Sequence, residues 1–570
     1  MVNRRQLLKL SALGTASLAA LGTTSFAPLG NDLHRQRIVD PNLPPRRLVS
    51  QLVSVWEHAG LITDRPSLDP STWDWTPAVQ ALLNRGGYIL LPENFTYTVS
   101  STLQMRSNTW LIIDGTLKFA DQRETLSTDH LLMCGDAGDS RVDISISGFG
   151  TIDGNYQKRQ SFAPTSGAYL LLARETTKLR IAPGLKFINA PSSAIVGVSC
   201  IDAIVAGADL RYIREHGIYF STDSNGIKIL SNILNDLAVG NAYCSDAVKL
   251  RNNCSNFVIQ GNTLNEAPLT TPNVVRGIVL DDSDNVSPIN HAICHDGKIL
   301  DNTMLGLSTG IWFKGSLVDA ARADSLFDMR VEVSRNTFEA KASSPLFAGI
   351  LDRVRKVDLN DNTWQNFSAG IYGGGVGDIA LRRNKIKHAT GVSGDGIRML
   401  DTVYNDTETS SRARGDVTLV DNEVTGYNGV GALLTVANAC DELKRNKIVS
   451  QGRAVSYQDY GLSTAPTSGR QVVDLSDNPR LTSTGVGVAA VFLNTRTAVT
   501  VQYLVADNVV TSASVGIACS VAQNSLAITN QIDAPIPVSV DTSATVFRKR
   551  DYGTGGPIEK IINSPKNEQY

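Results

Sequence analysis

The chain has 570 residues, of which 42% are hydrophobic and 19% charged, with 47 Gly, 7 Cys and a formal net charge of −2. This excludes a disordered tail protein, which needs low hydrophobicity and high net charge. The balance of 53 Lys+Arg against 55 Asp+Glu disfavours a basic nucleic-acid binder, and so few cysteines exclude a small disulfide scaffold.

Residues 1–27 read as an address. Arg4 and Arg5 precede a mildly apolar run, Leu10 to Leu21, too short to span a bilayer. The Asn3-Arg4-Arg5-Gln6-Leu7-Leu8-Lys9 core resembles a twin-arginine export signal, with cleavage expected between Gly22 and Ala27. The resemblance implies a periplasmic or secreted protein without stable membrane insertion. The cysteines then read as mostly buried apolar residues, with Cys244 and Cys254 as the one candidate pair. Residues 28–85 form a leader and a capping helix. The leader is irregular over 28–72, with a Pro-rich stretch from Asp40 to Arg47. In the helix, Thr76 is the expected N-cap and Pro77 the first helical residue. Ala78, Val79, Leu82 and Leu83 make its apolar face, and Gly86-Gly87 ends it.

From residue 86 to 540 a repeat dominates. Short period-2 strands end in an Asn followed by another apolar residue. Examples are Ile227, Ile229, Asn232, Leu234 and Val357, Leu359, Asn362, Trp364. The Asn recurs at 262, 302, 336, 384, 422, 446, 478 and 508. Asn suits a bend near the left-handed region, and identical Asn side chains can hydrogen-bond along a stack. Between them sits a Gly-apolar element, as at Gly217-Ile218, Gly277-Ile278, Gly310-Ile311 and Gly396-Ile397, where Gly is expected to supply a second tight bend. A coil of this size cannot bury its own core; stacked coils can. Residues 541–570 read as a closing segment or tail.

Together with Gly86–Asp121 and Ser147–Asn155, this repeat resembles the right-handed, single-stranded parallel β-helix of the pectate-lyase-like superfamily. The resemblance implies an all-β solenoid with an N-terminal capping helix, acting on a polysaccharide. Aligning the Gly-apolar elements predicts three outward rows. His216, Asp246, Arg276 and Thr309 form the first, Tyr219, Lys249, Val279 and Trp312 the second, and Ser221, Arg251, Asp281 and Lys314 the third. Polygalacturonases carry Asn-Thr-Asp, Asp-Asp, Gly-His-Gly and Arg-Ile-Lys on four successive coils. Here only Asp246 and Lys314 keep the residue type.

An inverting hydrolase needs a carboxylic acid and a carboxylate base across the scissile bond. The set present suits β-elimination on an acidic polysaccharide better. Lys249 or Arg251 is the candidate base, Arg276 the carboxylate clamp, and Tyr219 or His216 the proton donor. Trp312, Lys314, Arg398 and Asp395 are candidate substrate contacts, with Asp401 extending the second group. Asp281, Asp282 and Asp284 resemble a hard-cation cluster that would take Ca²⁺. A glycoside hydrolase and a non-enzymatic carbohydrate-binding or adhesin β-helix are the alternatives.

Overall fold

The computed structural model describes residues 52–557 apart from 122–129, 157–167, 238–243, 267–273, 283–292, 316–327, 342–344, 401–414, 436–439, 459–469, 496–499, 522–524, 541–544, 549–551 and 554–555. The expected export signal lies outside them, as do Asp284 and Asp401. The strands form a 34-stranded and a 16-stranded sheet. Each coil gives successive strands that pair in parallel with their equivalents one coil on. Thus Ile204–Ala206 lies on Lys228–Leu230, Asp209–Ile213 on Ile233–Leu237, and Ile218–Ser221 on Cys244–Arg251. The architecture is a parallel β-helix, as the period-2 repeat implied.

Alternate residues turn inward. Ile218, Val248, Ile278 and Ile311 stack in one buried column, and Phe220, Leu250, Leu280 and Phe313 in the next. Burying such a side chain is worth about 1.5–3 kcal/mol. A single coil gains this only when its neighbours cover it.

The Asn ladder is continuous from Asn232 to Asn530, one rung beyond the repeat read from the sequence. Asn362 is typical. Its Nδ2 donates to Val333 O (2.8 Å) and to Asn384 Oδ1 (3.0 Å), and its Oδ1 accepts from Asn336 N and Nδ2. The left-handed residue is not the Asn but the one before it. Asp301, Arg335, Asp361, Arg383, Asp421 and Arg445 have φ between 55° and 58°. The Asn keeps ordinary φ and faces inward, while its neighbour turns the corner outward. Those corner residues pair across coils, as Arg335–Asp301 (2.7 Å), Arg383–Asp361 (2.7 Å) and Arg445–Asp421 (2.8 Å).

The Gly of the Gly-apolar element also has a different job from the expected bend. Gly217, Gly277, Gly310 and Gly396 are not among the positive-φ residues. A Cβ on them would strike a backbone carbonyl of the next coil: Ala247, Gly310, Ala348 and Gly431 respectively. In register with them stand Ala247 and Ala348. The column is small because the coils pass so closely there.

Helix α1 (Thr76–Arg85) closes the N-terminal end, with Ala78, Val79, Leu82 and Leu83 fully buried in the common core. Its N-cap is Trp75 rather than Thr76, and Trp75 makes no side-chain cap bond. The Asp74 carboxylate does that work, accepting from Thr76 N (3.0 Å) and Ser100 Oγ (2.6 Å). The leader is more ordered than expected: Val53 and Ser54 pair in parallel with Ile89 and Leu90. At the other end pairing runs past 540, since Thr545–Arg548 lies on Ser525–Ile528. Cys254 is a free, buried thiol; the side chain of Cys244, its candidate partner, lies outside the described residues.

Glu266 is a buried acid after the strand Thr263–Asn265, accepting a bond from Leu237 N (2.8 Å). Burial pushes its carboxyl up to about 7. Its folded value thus exceeds the unfolded one. Its contribution is full below about pH 4.3 and is lost as pH rises through 7, by roughly 3 kcal/mol. Glu266→Gln keeps the oxygen acceptor and cannot ionise. Its urea midpoint is expected to match wild type at pH 4 and to exceed it at pH 8. Parallel pH dependence in the two proteins would refute this.

Candidate functional site

The 16-stranded sheet carries the candidate residues. The relevant strands are β1 (Ile218–Ser221), β2 (Cys244–Arg251), β3 (Val274–Asp281), β4 (Thr309–Lys314), β5 (Phe347–Asp352), β6 (Ala369–Gly374) and β7 (Ile397–Leu400). Register fixes the outward rows. Asp246, Arg276 and Thr309 are aligned, with His216 just before β1. Tyr219, Lys249, Val279 and Trp312 form the second row, and Ser221, Arg251, Asp281 and Lys314 the third. On β2–β4, Lys249, Arg251, Arg276 and Lys314 outnumber Asp246 and Asp281.

Asp246 is the hub, and it is fully enclosed. Arg276 Nε donates to its Oδ1 at 2.5 Å. His216 Nδ1 lies 3.2 Å and Lys249 Nζ 3.8 Å from its Oδ2. Burial favours the neutral acid, but Arg276, His216 and Lys249 outweigh it and hold the carboxyl below its usual range. Asp246 is therefore a permanent anion that positions its neighbours. It reaches no solvent and is not placed to exchange protons with a substrate.

His216 is shaped by the opposite balance. Burial holds its imidazole below the usual range, Lys249 and Arg276 act in the same direction, and Asp246 only partly offsets them. The ring is neutral near pH 7. A proton on Nδ1 suits the Asp246 contact and leaves Nε2 as acceptor, 3.6 Å from Glu215 Oε1. Tyr219 meets the ring edge-on at 5.4 Å. Lys249 Nζ lies 5.9 Å from the Tyr219 centroid and 3.6 Å from Asp281 Oδ2. Arg276 lies over Trp312 at 4.6 Å.

Lys249 thus contacts two carboxylates, a position for charge pairing, whereas the neutral imidazole is the group suited to take a proton. Arg251, always protonated, sits between Ser221 and Asp281 in the third row. Lys314 lies between Asp281 and Asp352 in the same row. Two members of the expected cation cluster fall among the described residues. Asp281 faces Lys249, Asp282 follows it in a buried position, and Asp284 lies outside the described residues. Among the described residues no three His, Cys, Asp or Glu side chains are grouped to hold a metal.

Arg398 and Asp395 form a separate group further along the sheet. Arg398 lies over Tyr372 at 5.4 Å and is 3.8 Å from Asp395. Burial pushes the Asp395 carboxyl up, opposed by a bond from Val430 N (2.7 Å) and by Arg398. Several site residues escaped the sequence reading. Glu215 accepts from the hydroxyls of Ser192 and Ser193 and flanks His216. Its place in the Glu215-His216-Gly217 triplet was the available signal. Phe347 and Tyr372, which meet at 5.0 Å, occupy the same outward rows as Arg276 and Trp312. Extending the alignment by two coils would have found them.

Comparison with solved structures places this architecture among β-helices of known structure. A single-substitution mutant of the tailspike protein of E. coli bacteriophage HK620, in complex with a pentasaccharide, is similar at 15% identity and a TM-score of 0.54, covering 75% of this chain and 77% of that one. A second structure of that tailspike with a pentasaccharide gives 15% identity, 75% and 79% coverage and a TM-score of 0.51. The likeness is one of fold. The surface adhesin PfbA of Streptococcus pneumoniae is also matched, at 14% identity, 73% and 95% coverage and a TM-score of 0.47. No family model and no curated protein matches the chain. Among the described residues no helix is long and apolar enough to cross a membrane.

Proposed function

We propose that this protein binds an acidic polysaccharide along the outward face of the 16-stranded sheet and cleaves it by β-elimination. The observation that carries the reading is the neutral His216 held by a buried Asp246 beside Lys249 and Arg276. Arg276 and Lys249 face the uronate carboxylate and stabilise the charge that develops as C5 loses its proton. His216 Nε2 takes that proton. The C4–O bond breaks, a C4=C5 double bond forms, and Tyr219 protonates the departing oxygen. These roles need no Ca²⁺. The tailspike structures that share the fold hold a pentasaccharide, which supports a carbohydrate ligand.

Hydrolysis is less well served. It needs an acid and a base across the bond, and Asp246 is enclosed and held ionised. Binding without cleavage is the second reading, supported by the pairing of Lys249 with both Asp246 and Asp281. Superfamily membership with the pectate lyases and export by the twin-arginine route belong to the same proposal.

The test uses the purified protein and a panel of acidic polysaccharides, following ultraviolet absorbance of unsaturated uronate and release of reducing ends. Both signals are expected together. His216→Ala and Tyr219→Phe should each lower kcat by at least ~10²-fold. Reducing ends without unsaturation would replace elimination by hydrolysis. Binding with neither product would leave the second reading standing.

A further inference from the structure

Two alike cationic anchors stand on the outward face. Arg276 is paired with Asp246 at 2.5 Å and lies 4.6 Å from the Trp312 centroid. Arg398 is 3.8 Å from Asp395 and lies 5.4 Å from the Tyr372 centroid. In both, an acid and an aromatic ring together fix the guanidinium, a group whose planar fork suits carboxylates.

Between them the second outward row is apolar, with Ile350 buried, and Lys314 and Asp352 stand in the row alongside. Trp312, Ile350 and Tyr372 follow one another in the second row. Phe347 meets Tyr372 edge-on beside them. Trp312, Phe347 and Tyr372 are half-buried, so each still presents part of its surface. Such a floor suits the apolar faces of sugar rings.

Register sets the spacing. Arg276 is on β3 and Arg398 on β7, four parallel pairings apart. At ~4.8 Å per strand this is about 19 Å across the sheet, and Arg398 also stands three residues, about 10 Å, further along the strand direction than the row of Arg276. A pyranose in an extended chain advances by about one such step, so the anchors match carboxylates about four residues apart.

Resting on the polysaccharide reading, we propose that the face from Arg276 to Arg398 is a length gauge. It engages acidic oligosaccharides of five or more residues by carboxylates at both anchors, with the intervening sugars over Trp312, Phe347 and Tyr372. A shorter chain reaches one anchor at a time. A longer one makes the second contact intramolecular, which raises affinity without any new kind of contact.

The experiment measures Kd for homopolymeric uronate oligosaccharides of two, four and six residues by calorimetry, on His216→Ala protein so that nothing is turned over. Carboxyl-reduced hexamer serves as the neutral control. The hexamer is expected to bind roughly 100-fold more tightly than the dimer. Adding Arg398→Gln should collapse that ratio toward one, and Arg398→Lys should restore part of it. Unchanged thermal midpoints would show that the variants fold. Oligosaccharides that bind with no length step, or a step that survives Arg398→Gln, would overturn the gauge alone. Equal binding of reduced and acidic hexamers would overturn it too. Absence of binding by every oligosaccharide would overturn both the gauge and the polysaccharide reading beneath it.

Discussion

Asn362→Ala is expected to cost about 4 kcal/mol of stability, because a buried polar group left without its partner costs ~1–3 kcal/mol and several are orphaned together. The substitution removes the Oδ1 that accepts from Asn336 N (3.0 Å) and Nδ2 (2.9 Å), and the Nδ2 that serves Val333 O and Asn384 Oδ1. Asn336, Asn362 and Asn384 are all essentially inaccessible, so water cannot replace these bonds. Asn362→Asp should be at least as damaging, since its second oxygen would face two acceptors. Gln260→Ala is the control. That residue makes an exposed bond to Asp301 (3.2 Å), and its loss should stay near ~0.5 kcal/mol. Urea unfolding of the three variants measures this. A loss below about 1 kcal/mol for Asn362→Ala would show that the ladder is decorative.

Asp246→Ala is expected to cost about 3–5 kcal/mol and to abolish turnover, because it breaks a buried pair and strands the surviving charge. The Arg276 side chain is only 13% exposed and Asp246 is 0% exposed. Asp246→Asn separates the two effects. It keeps the shape and one acceptor oxygen, so the fold should suffer less. It also removes the stronger of the two carboxylates, Asp246 and Glu215, that favour protonated His216. The imidazole should then titrate still lower, and the acid limb of the kcat/KM profile should move to lower pH. Turnover should fall because the ring loses its anchor. An unmoved acid limb in Asp246→Asn would detach His216 from Asp246 in mechanism, whatever the change in stability.

The backbone plan was open to a sequence reading because it repeats. The Asn spacing, the period-2 strands and the Gly-apolar elements each recur often enough to average out local noise. The same alignment placed Tyr219, Lys249, Val279 and Trp312 in one row, since register in a coil stack is set by one column of inward side chains. What repetition could not convey was burial. An outward strand position is normally solvated, yet Asp246 is sealed by Arg276, His216 and Lys249 converging from three coils. That convergence makes Asp246 a positioning group and leaves His216 as the proposed proton acceptor. The Asn and Gly bends were misassigned for a related reason. Both residues tolerate positive φ, but tolerance does not say whether it is used. Here Asn serves hydrogen bonding and Gly serves close passage.

That close passage has an evolutionary reading. The column of Gly217, Ala247, Gly277, Gly310 and Ala348 stands immediately before the inward residue of each strand, and a side chain on its glycines meets the next coil's backbone. At Gly217, Gly277 and Gly310 even the Cβ of Ala would collide with that backbone. One residue earlier, at Asp246, Arg276 and Thr309, the chain has already used an acid, a base and a neutral hydroxyl. Sterically closed and chemically varied positions are thus adjacent along the same strand. A lineage built on this scaffold can exchange its ligand chemistry coil by coil while the packing beneath stays untouched, so divergent specificity requires no change of fold.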